Sequence, residues 1–261
     1  MGDARVRPVE ENLDAFLESL VTSGEFDAGS DPDVWSYWSD VAFPLFNGIG
    51  RARFAPGTVE SRAREVVASF VQRGLPFMWW ATPSGHAEEL VPVLGDLGMG
   101  CELVPGMFTA LDGEIDQRTP RGVTLREVPG AEMVEVMVAG FAMPMDLVPA
   151  FHKFLAGLDP TQMVNVVAAV DGEDVGCGTM LQTGETAGLY NIATVDKARG
   201  RGVGYAVTAA LMNAGRARGA THSILHASAQ GLPLYQRLGF EEVCMTRHFV
   251  WMPPGQEGDG R

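Results

Sequence analysis

The chain has 261 residues, 46% hydrophobic and 20% charged, enough to bury one large core or two small ones and too apolar for a disordered chain. Acidic residues outnumber basic ones 33 to 19, a formal charge of −14 that repels phosphate backbones, so no nucleic-acid partner is expected and a cationic, amine-bearing substrate is compatible. Cys101, Cys177 and Cys244 form no C-x-x-C pair, the N-terminus lacks a leader-like apolar core and no apolar run could cross a bilayer, so the expectation is a cytoplasmic protein without disulfides, structural zinc or a membrane partner.

In chain order, the first half reads as an α/β unit. Residues 58–73 predict a helix with Val59, Ala63, Val66, Val67, Phe70 and Val71 on one face, stopped by Gly74. Residues 76–82 predict a strand, and 86–97 a second helix ended by Gly98. Trp35, Trp38, Phe43, Phe46, Trp79 and Trp80 make this half aromatic, either as a dense core and interdomain surface or as a wall of an acceptor pocket. The polar stretch 112–122, whose one large apolar residue is Ile115, reads as a linker.

The second half opens with an alternating strand at 123–128, followed by helices at 131–141 and 146–158. Strands follow at 164–170, closed by the turn Asp171-Gly172, at 176–182 and at 188–195. A helix then starts after Gly202, with Val203, Ala206, Val207, Ala210, Leu211 and Ala214 as its buried stripe and Gly219 as its stop. A strand at 221–228, a short helix carrying Leu234, Tyr235 and Leu238, and a last strand at 242–251 complete the unit. Leu97-Gly98-Met99 parallels Leu238-Gly239-Phe240, and Ala81-Thr82 parallels Ala227-Ser228. The order helix, strand, helix, Leu-Gly, strand thus occurs twice, a degenerate internal repeat.

Chemistry concentrates where a strand meets a helix, in Thr194-Val-Asp-Lys-Ala-Arg-Gly-Arg-Gly-Val-Gly-Tyr205. Gly200, Gly202 and Gly204 either make a tight turn or let unpaired amides and the positive helix end converge on an anion such as a diphosphate. A Walker loop is excluded because Tyr205-Ala206 follows Gly204, and a dinucleotide fingerprint because no glycine stands three after Gly202. The five histidines form no H-E-x-x-H motif, and no metal is expected. His226 is either a proton relay or a structural histidine, and Cys177, between two glycines, reads as core.

Arg199, Gly202 and Gly204 form R-x-x-G-x-G, and some thirty residues later comes Ala227-Ser228…Leu234-Tyr-Gln-Arg-Leu-Gly-Phe240. Both motifs together, in this strand and helix order, resemble the GNAT superfamily of acyl-CoA-dependent N-acetyltransferases over roughly residues 122–251. The resemblance implies an α/β (α+β) fold of two tandem units, each a mixed, mostly antiparallel sheet flanked by helices. Residues 1–115 would be a degenerate unit without cofactor and 122–261 the catalytic one. It implies acetyl-CoA as acyl donor and direct attack by a small-molecule amine, in a monomer or homodimer. Ala193, Thr194 and Val195 would hold the pantetheine arm. Arg199, Gly200, Arg201, Gly202, Val203, Gly204 and Tyr205 would hold the diphosphate, Ser228 would face the cofactor, and Tyr235 would protonate the departing thiolate. Family members often carry a glutamate as base on the strand before the glycine loop. Here Leu189-Tyr-Asn-Ile-Ala-Thr194 has no carboxylate, Asn191 and Asp196 are nearby polar groups, and the base stays unassigned. The other readings are acetylation of a protein or peptide amine and a non-catalytic acyl-CoA-binding regulator.

Overall fold

The structure, a computed structural model, describes residues 3–29 and 31–255. In chain order it contains α1 (Val6–Thr22), β1 (Asp27–Ala28), β2 (Trp35–Trp38), β3 (Gly48–Gly50), α2 (Val59–Val71), β4 (Phe77–Ala81), α3 (Ala87–Asp96) and β5 (Gly100–Ala110). The second half continues with β6 (Val123–Val128), α4 (Val134–Gly140), α5 (Val148–Ala156), β7 (Met163–Val170), β8 (Glu173–Thr183) and β9 (Thr186–Thr194). It ends with α6 (Val203–Ala217), β10 (His222–His226), α7 (Leu232–Arg237) and β11 (Glu241–Trp251). Spatially the chain divides into Met1–Gly24 with Gly106–Val243, and Glu25–Pro105 with Cys244–Arg261.

The first of these units has the strand order β5-β10-β9-β8-β7-β6. All its pairs are antiparallel except β9 with β10. The parallel pair requires a crossover, and α6 supplies it. Val203, Val207 and Leu211 on α6 pack with Met180, Leu189 and Leu225 of the sheet into one buried core. Gly178 is small because Leu211 and Val207 lie where its Cβ would stand, at 2.8 and 2.9 Å. The other face of the sheet carries α4 and α1: a Cβ on Gly140 would lie 2.8 Å from that of Ala193, and the buried Asn12 donates to Thr183 Oγ1 at 2.7 Å.

The second unit has the order β1-β2-β3-β4-β11, again with one parallel pair, β3 with β4, bridged by a helix, α2. Its core joins Val66 and Phe70 of α2 and Leu90 of α3 to Phe77 and Trp79 of β4. Trp79 is fully buried and packs edge-on to Phe54 at 6.3 Å, and Phe46 stacks with Phe26 at 5.7 Å, so these aromatics build this unit's own interior.

The internal repeat is therefore present in three dimensions, and the Leu-Gly signature marks its helix stops. Gly98 and Gly239 take φ of +78° and +88°, the left-handed conformation that ends a helix at little cost only with glycine. The final strand of each repeat joins the opposite sheet. β5 pairs antiparallel with β10 through Gly106–Ala110, and β11 with β4 through Arg247–Trp251. This exchange makes the spatial units discontinuous in sequence, where the linear reading placed 1–115 against 122–261. α1, which the reading of elements passed over, belongs spatially with the second half of the chain.

Smaller differences concern element ends. The helices expected at 131–141 and 146–158 begin as 3₁₀ turns, Gly130–Met133 and Met145–Leu147, before becoming α4 and α5. Pro129 and Pro144, one residue before each turn, cannot continue a preceding ladder and favour such tight entries. β9 stops at Thr194, leaving Val195 just outside it, and β10 stops at His226.

Candidate functional site

The expected site residues all fall in one unit, at the C-terminal ends of the parallel pair. The β9–β10 ladder runs from Thr186 opposite His222 to Leu189 opposite Leu225 and then ends. Beyond that point the two strands diverge, and the edge of Tyr190–Thr194 that faced β10 has no ladder partner. The divergence coincides with a β-bulge. Cys177 pairs with Ala193 and Thr179 with Tyr190, so β9 spends one residue more than β8 over this step. The bulge contains Asn191, a non-glycine residue in the left-handed region at φ +54°. Its side chain points toward the buried Thr179 hydroxyl at 3.4 Å, and that hydroxyl donates to Asn165 Oδ1 at 2.8 Å.

From Thr194 the chain passes through a 3₁₀ turn, Asp196–Ala198, into the glycine loop and α6. Gly200 and Gly202 have φ of +71° and +82°, values that few L side chains adopt. Among the described residues, the amides of Arg201, Gly202, Val203, Gly204 and Tyr205 donate to no protein acceptor; the first capping bond is Ala206 N–H to Gly202 O at 3.1 Å. A Cβ on Gly204 would stand 3.3 Å from Leu234 Cδ1 and 3.5 Å from Thr194 Oγ1, so the backbone passes closely between α7 and the strand end. Free amides, a positive helix end and missing side chains make a concave loop suited to an anion.

The two arginines of the loop take different roles. Arg199 turns inward: Nε donates to Thr194 O at 3.1 Å, Nη2 to Gly140 O at 2.9 Å, and Nη1 pairs with Asp196 at 2.7 Å. It staples the end of β9 to the end of α4. Arg201 is exposed and has no ion pair among the described residues, which leaves it as the loop's available cation.

Across the opening, β10 ends in His226, Ala227 and Ser228. Ser228 is exposed, and its Oγ accepts the amide of Gly231 at 3.2 Å, beginning the entry into α7. Tyr235 on α7 is 8% exposed, with its ring against Gly231 and edge-on to Phe240 at 6.1 Å. Burial pushes its phenol up to about 12, so it keeps its proton at neutral pH. Its hydroxyl makes no hydrogen bond within the described residues. His226 lies on the face of β10 opposite Leu225, and burial lowers its imidazole to about 4, which keeps it neutral. Cys177 is fully buried, with its thiol pushed up to about 12, unsuited to act as a nucleophile.

The reading of candidate residues missed α1 as a neighbour of this region. Asn12 accepts the Tyr190 hydroxyl at 2.7 Å, and Phe16 stacks on the Tyr190 ring, beside the bulge. A signal was present: Val9, Leu13, Leu17 and Leu20 recur with helical period.

This fold resembles that of GNAT domains: a mixed sheet whose parallel pair opens beside a glycine-rich helix start. Residues 162–242 match the family model of the acetyltransferase (GNAT) domain. The whole chain superposes on a GCN5-related N-acetyltransferase from Kribbella flavida with a TM-score of 0.68 and 22% identity, covering 98% of this chain and 97% of that one. A GCN5-related N-acetyltransferase from Sphaerobacter thermophilus aligns at TM-score 0.62 and 16% identity, over 84% of this chain and 76% of that one. A tandem GNAT protein from the clavulanic acid biosynthesis pathway aligns at TM-score 0.57 and 13% identity, over 92% and 94%. No curated protein is similar enough to match. The chain thus has the tandem GNAT fold.

Proposed function

We propose that the unit containing the glycine loop is an N-acetyltransferase that moves the acetyl group of acetyl-CoA to the primary amine of a small molecule. The observation that carries this reading is the cradle of unpaired amides at Arg201–Tyr205 beside the open edge of β9. Acetyl-CoA, when bound, supplies the activated thioester carbonyl. The amides of Arg201 to Tyr205, with Arg201 beside them, hold the diphosphate. The unpaired edge at Tyr190–Thr194, followed by Val195, offers backbone donors and acceptors to the extended arm, as a neighbouring strand would. Tyr235 holds a proton at its hydroxyl and delivers it to the departing sulfur. The second unit has Phe54-Ala-Pro-Gly-Thr58 before α2 and Leu94 where the repeat places Tyr235, so it has neither cradle nor acid and plays a structural part.

β9 carries no carboxylate, and Asn191 stands at the bulge instead. In this reading the amine arrives already neutral or loses its proton to solvent through a water positioned by Asn191. The same feature supports a second reading, an acyl-CoA-binding regulator without turnover. Calorimetric titration of acetyl-CoA followed by a thiol-release assay over a panel of small amines and peptides separates them. One site per chain with amine-dependent thiol release is the expected result. Binding without release for any acceptor supports the regulator, release with peptides alone a protein acetyltransferase, and no binding refutes the cradle.

A further inference from the structure

The polar stretch between the repeats is docked along the cofactor helix. Near the C-terminal part of α6, Asn213 reads the backbone of Ile115 in both directions, accepting its N–H at 2.9 Å and donating to its carbonyl at 2.7 Å. The Ile115 side chain packs against the core beneath. Near the other end of α6, Pro120 Cγ stands 3.1 Å from where Gly202 would carry a Cβ. The eleven residues from Gly202 to Asn213 span about 16 Å of helix, and the five from Ile115 to Pro120 cover about the same when extended. The segment therefore runs the length of α6, antiparallel to it, and ends at the glycine loop.

Its charges arrive there with it. Arg118 takes a left-handed φ of +43°, and its guanidinium lies 5.6 Å from the centroid of the Tyr205 ring in the first turn of α6. Its ion-pair contact is Asp116 at 3.4 Å, with both side chains more than 70% exposed, a pairing that an incoming anion displaces at little cost. Arg121 and Arg201 each stand one residue from the Pro120–Gly202 contact, both exposed and neither ion-paired among the described residues. In a chain with 33 acidic and 19 basic residues, three arginines thus belong to the two segments that pack at the positive end of one helix, a local excess of positive charge that favours an anion.

We infer that the linker is part of the donor site: Arg118 and Arg121 bind a phosphate of the coenzyme A nucleotide, flanking the diphosphate cradle of α6. This rests on the acyl-CoA reading above, and it makes the segment joining the two repeats a cofactor-binding element. The two phosphate positions of the ligand, diphosphate and 3′-phosphate, share this chemistry.

The test is calorimetric titration of coenzyme A and of 3′-dephospho-coenzyme A into the intact protein, Arg118→Ala, Arg121→Ala and the double variant, with Arg118→Lys as the charge-retaining control. Melting without ligand verifies that each variant folds. The double variant is expected to bind coenzyme A at least about tenfold more weakly, the size of one charge-assisted hydrogen bond, with Arg118→Lys retaining much of the affinity. A loss seen only with coenzyme A assigns the arginines to the 3′-phosphate, and a loss with both ligands to the diphosphate. Unchanged affinity of both variants for both ligands, with wild-type binding intact, overturns the inference and leaves the acyl-CoA reading standing. Absence of wild-type binding overturns both.

Discussion

Phe16 on α1 lies flat against Tyr190 on β9, with ring centroids 4.0 Å apart and planes 5° from parallel. The Tyr190 hydroxyl donates to Asn12 one helical turn earlier, and Asn12 in turn donates to Thr183 and to the carbonyl of Leu181. One buried amide thus ties the helix to two strands of the sheet, next to the bulge at Asn191. Gly188 is glycine because the Asn12 side chain occupies the space of its Cβ.

Asn12→Ala is therefore expected to cost about 2 kcal/mol, because it leaves the half-buried hydroxyls of Tyr190 and Thr183 without their partner and opens a cavity. Urea unfolding followed by circular dichroism measures this. An unchanged midpoint would mean that the apolar stripe of α1 alone holds it in place.

Gly202→Glu should abolish acetyl-CoA binding, by forcing a side chain into a φ of +82°, against Pro120, and by placing a carboxylate at the diphosphate position. Gly202→Ala carries the backbone strain, about 1 kcal/mol, without the charge, and should bind more weakly but measurably. Calorimetry on both variants separates strain from charge, and full affinity in Gly202→Glu would show that the loop is only a turn.

Tyr235→Phe should leave acetyl-CoA affinity intact and lower kcat by about a hundredfold, the usual contribution of a positioned acid. A phenol raised to about 12 stays protonated through pH 10, so the wild-type rate should show no alkaline loss from this group below that pH. Wild-type turnover in the phenylalanine variant across pH 6–10 would remove Tyr235 from the chemistry.

His226 gives a pH signature to stability. Burial lowers its imidazole to about 4 in the folded chain, against 6.5 for an ordinary histidine. Between those values the unfolded chain takes up a proton that the folded one refuses, so stability is full above pH 6.5 and falls as pH drops toward 4, by roughly 3 kcal/mol. His226→Gln should flatten that part of the profile of unfolding midpoint against pH. An identical slope in the variant would assign the acid sensitivity to other groups.

Much of this was legible in the sequence because local signals agreed with one another. The stripe Val203–Ala214 and the glycine at 219 placed α6 within a residue, since a helix buried on one face must repeat at 3.6. The strand at 123–128 was found to the residue, because an alternating run next to a turn has one register that buries its apolar face. R-x-x-G-x-G and Y-x-x-L-G-F marked the entry to α6 and the stop after α7, because the left-handed backbone at Gly202 and Gly239 and the close approach at Gly204 demand glycine.

Other features depended on contacts distant in sequence. The alternation of β5 and β11 is the same whichever sheet they join, so their exchange between the repeats could not be read from either strand alone. Arg199 and Arg201 look alike in the motif, and only the positions of Gly140 O and Thr194 O turn the first inward and leave the second exposed. The stretch 112–122 is polar enough to pass for a free tether, and it takes Asn213 and Gly202, some 80 to 100 residues away, to lay it along α6. Composition and periodicity report what each segment does to its own backbone and faces. Which segment covers which, and which charges meet, follows from long-range packing, and for this protein that packing brings the linker arginines to the glycine loop.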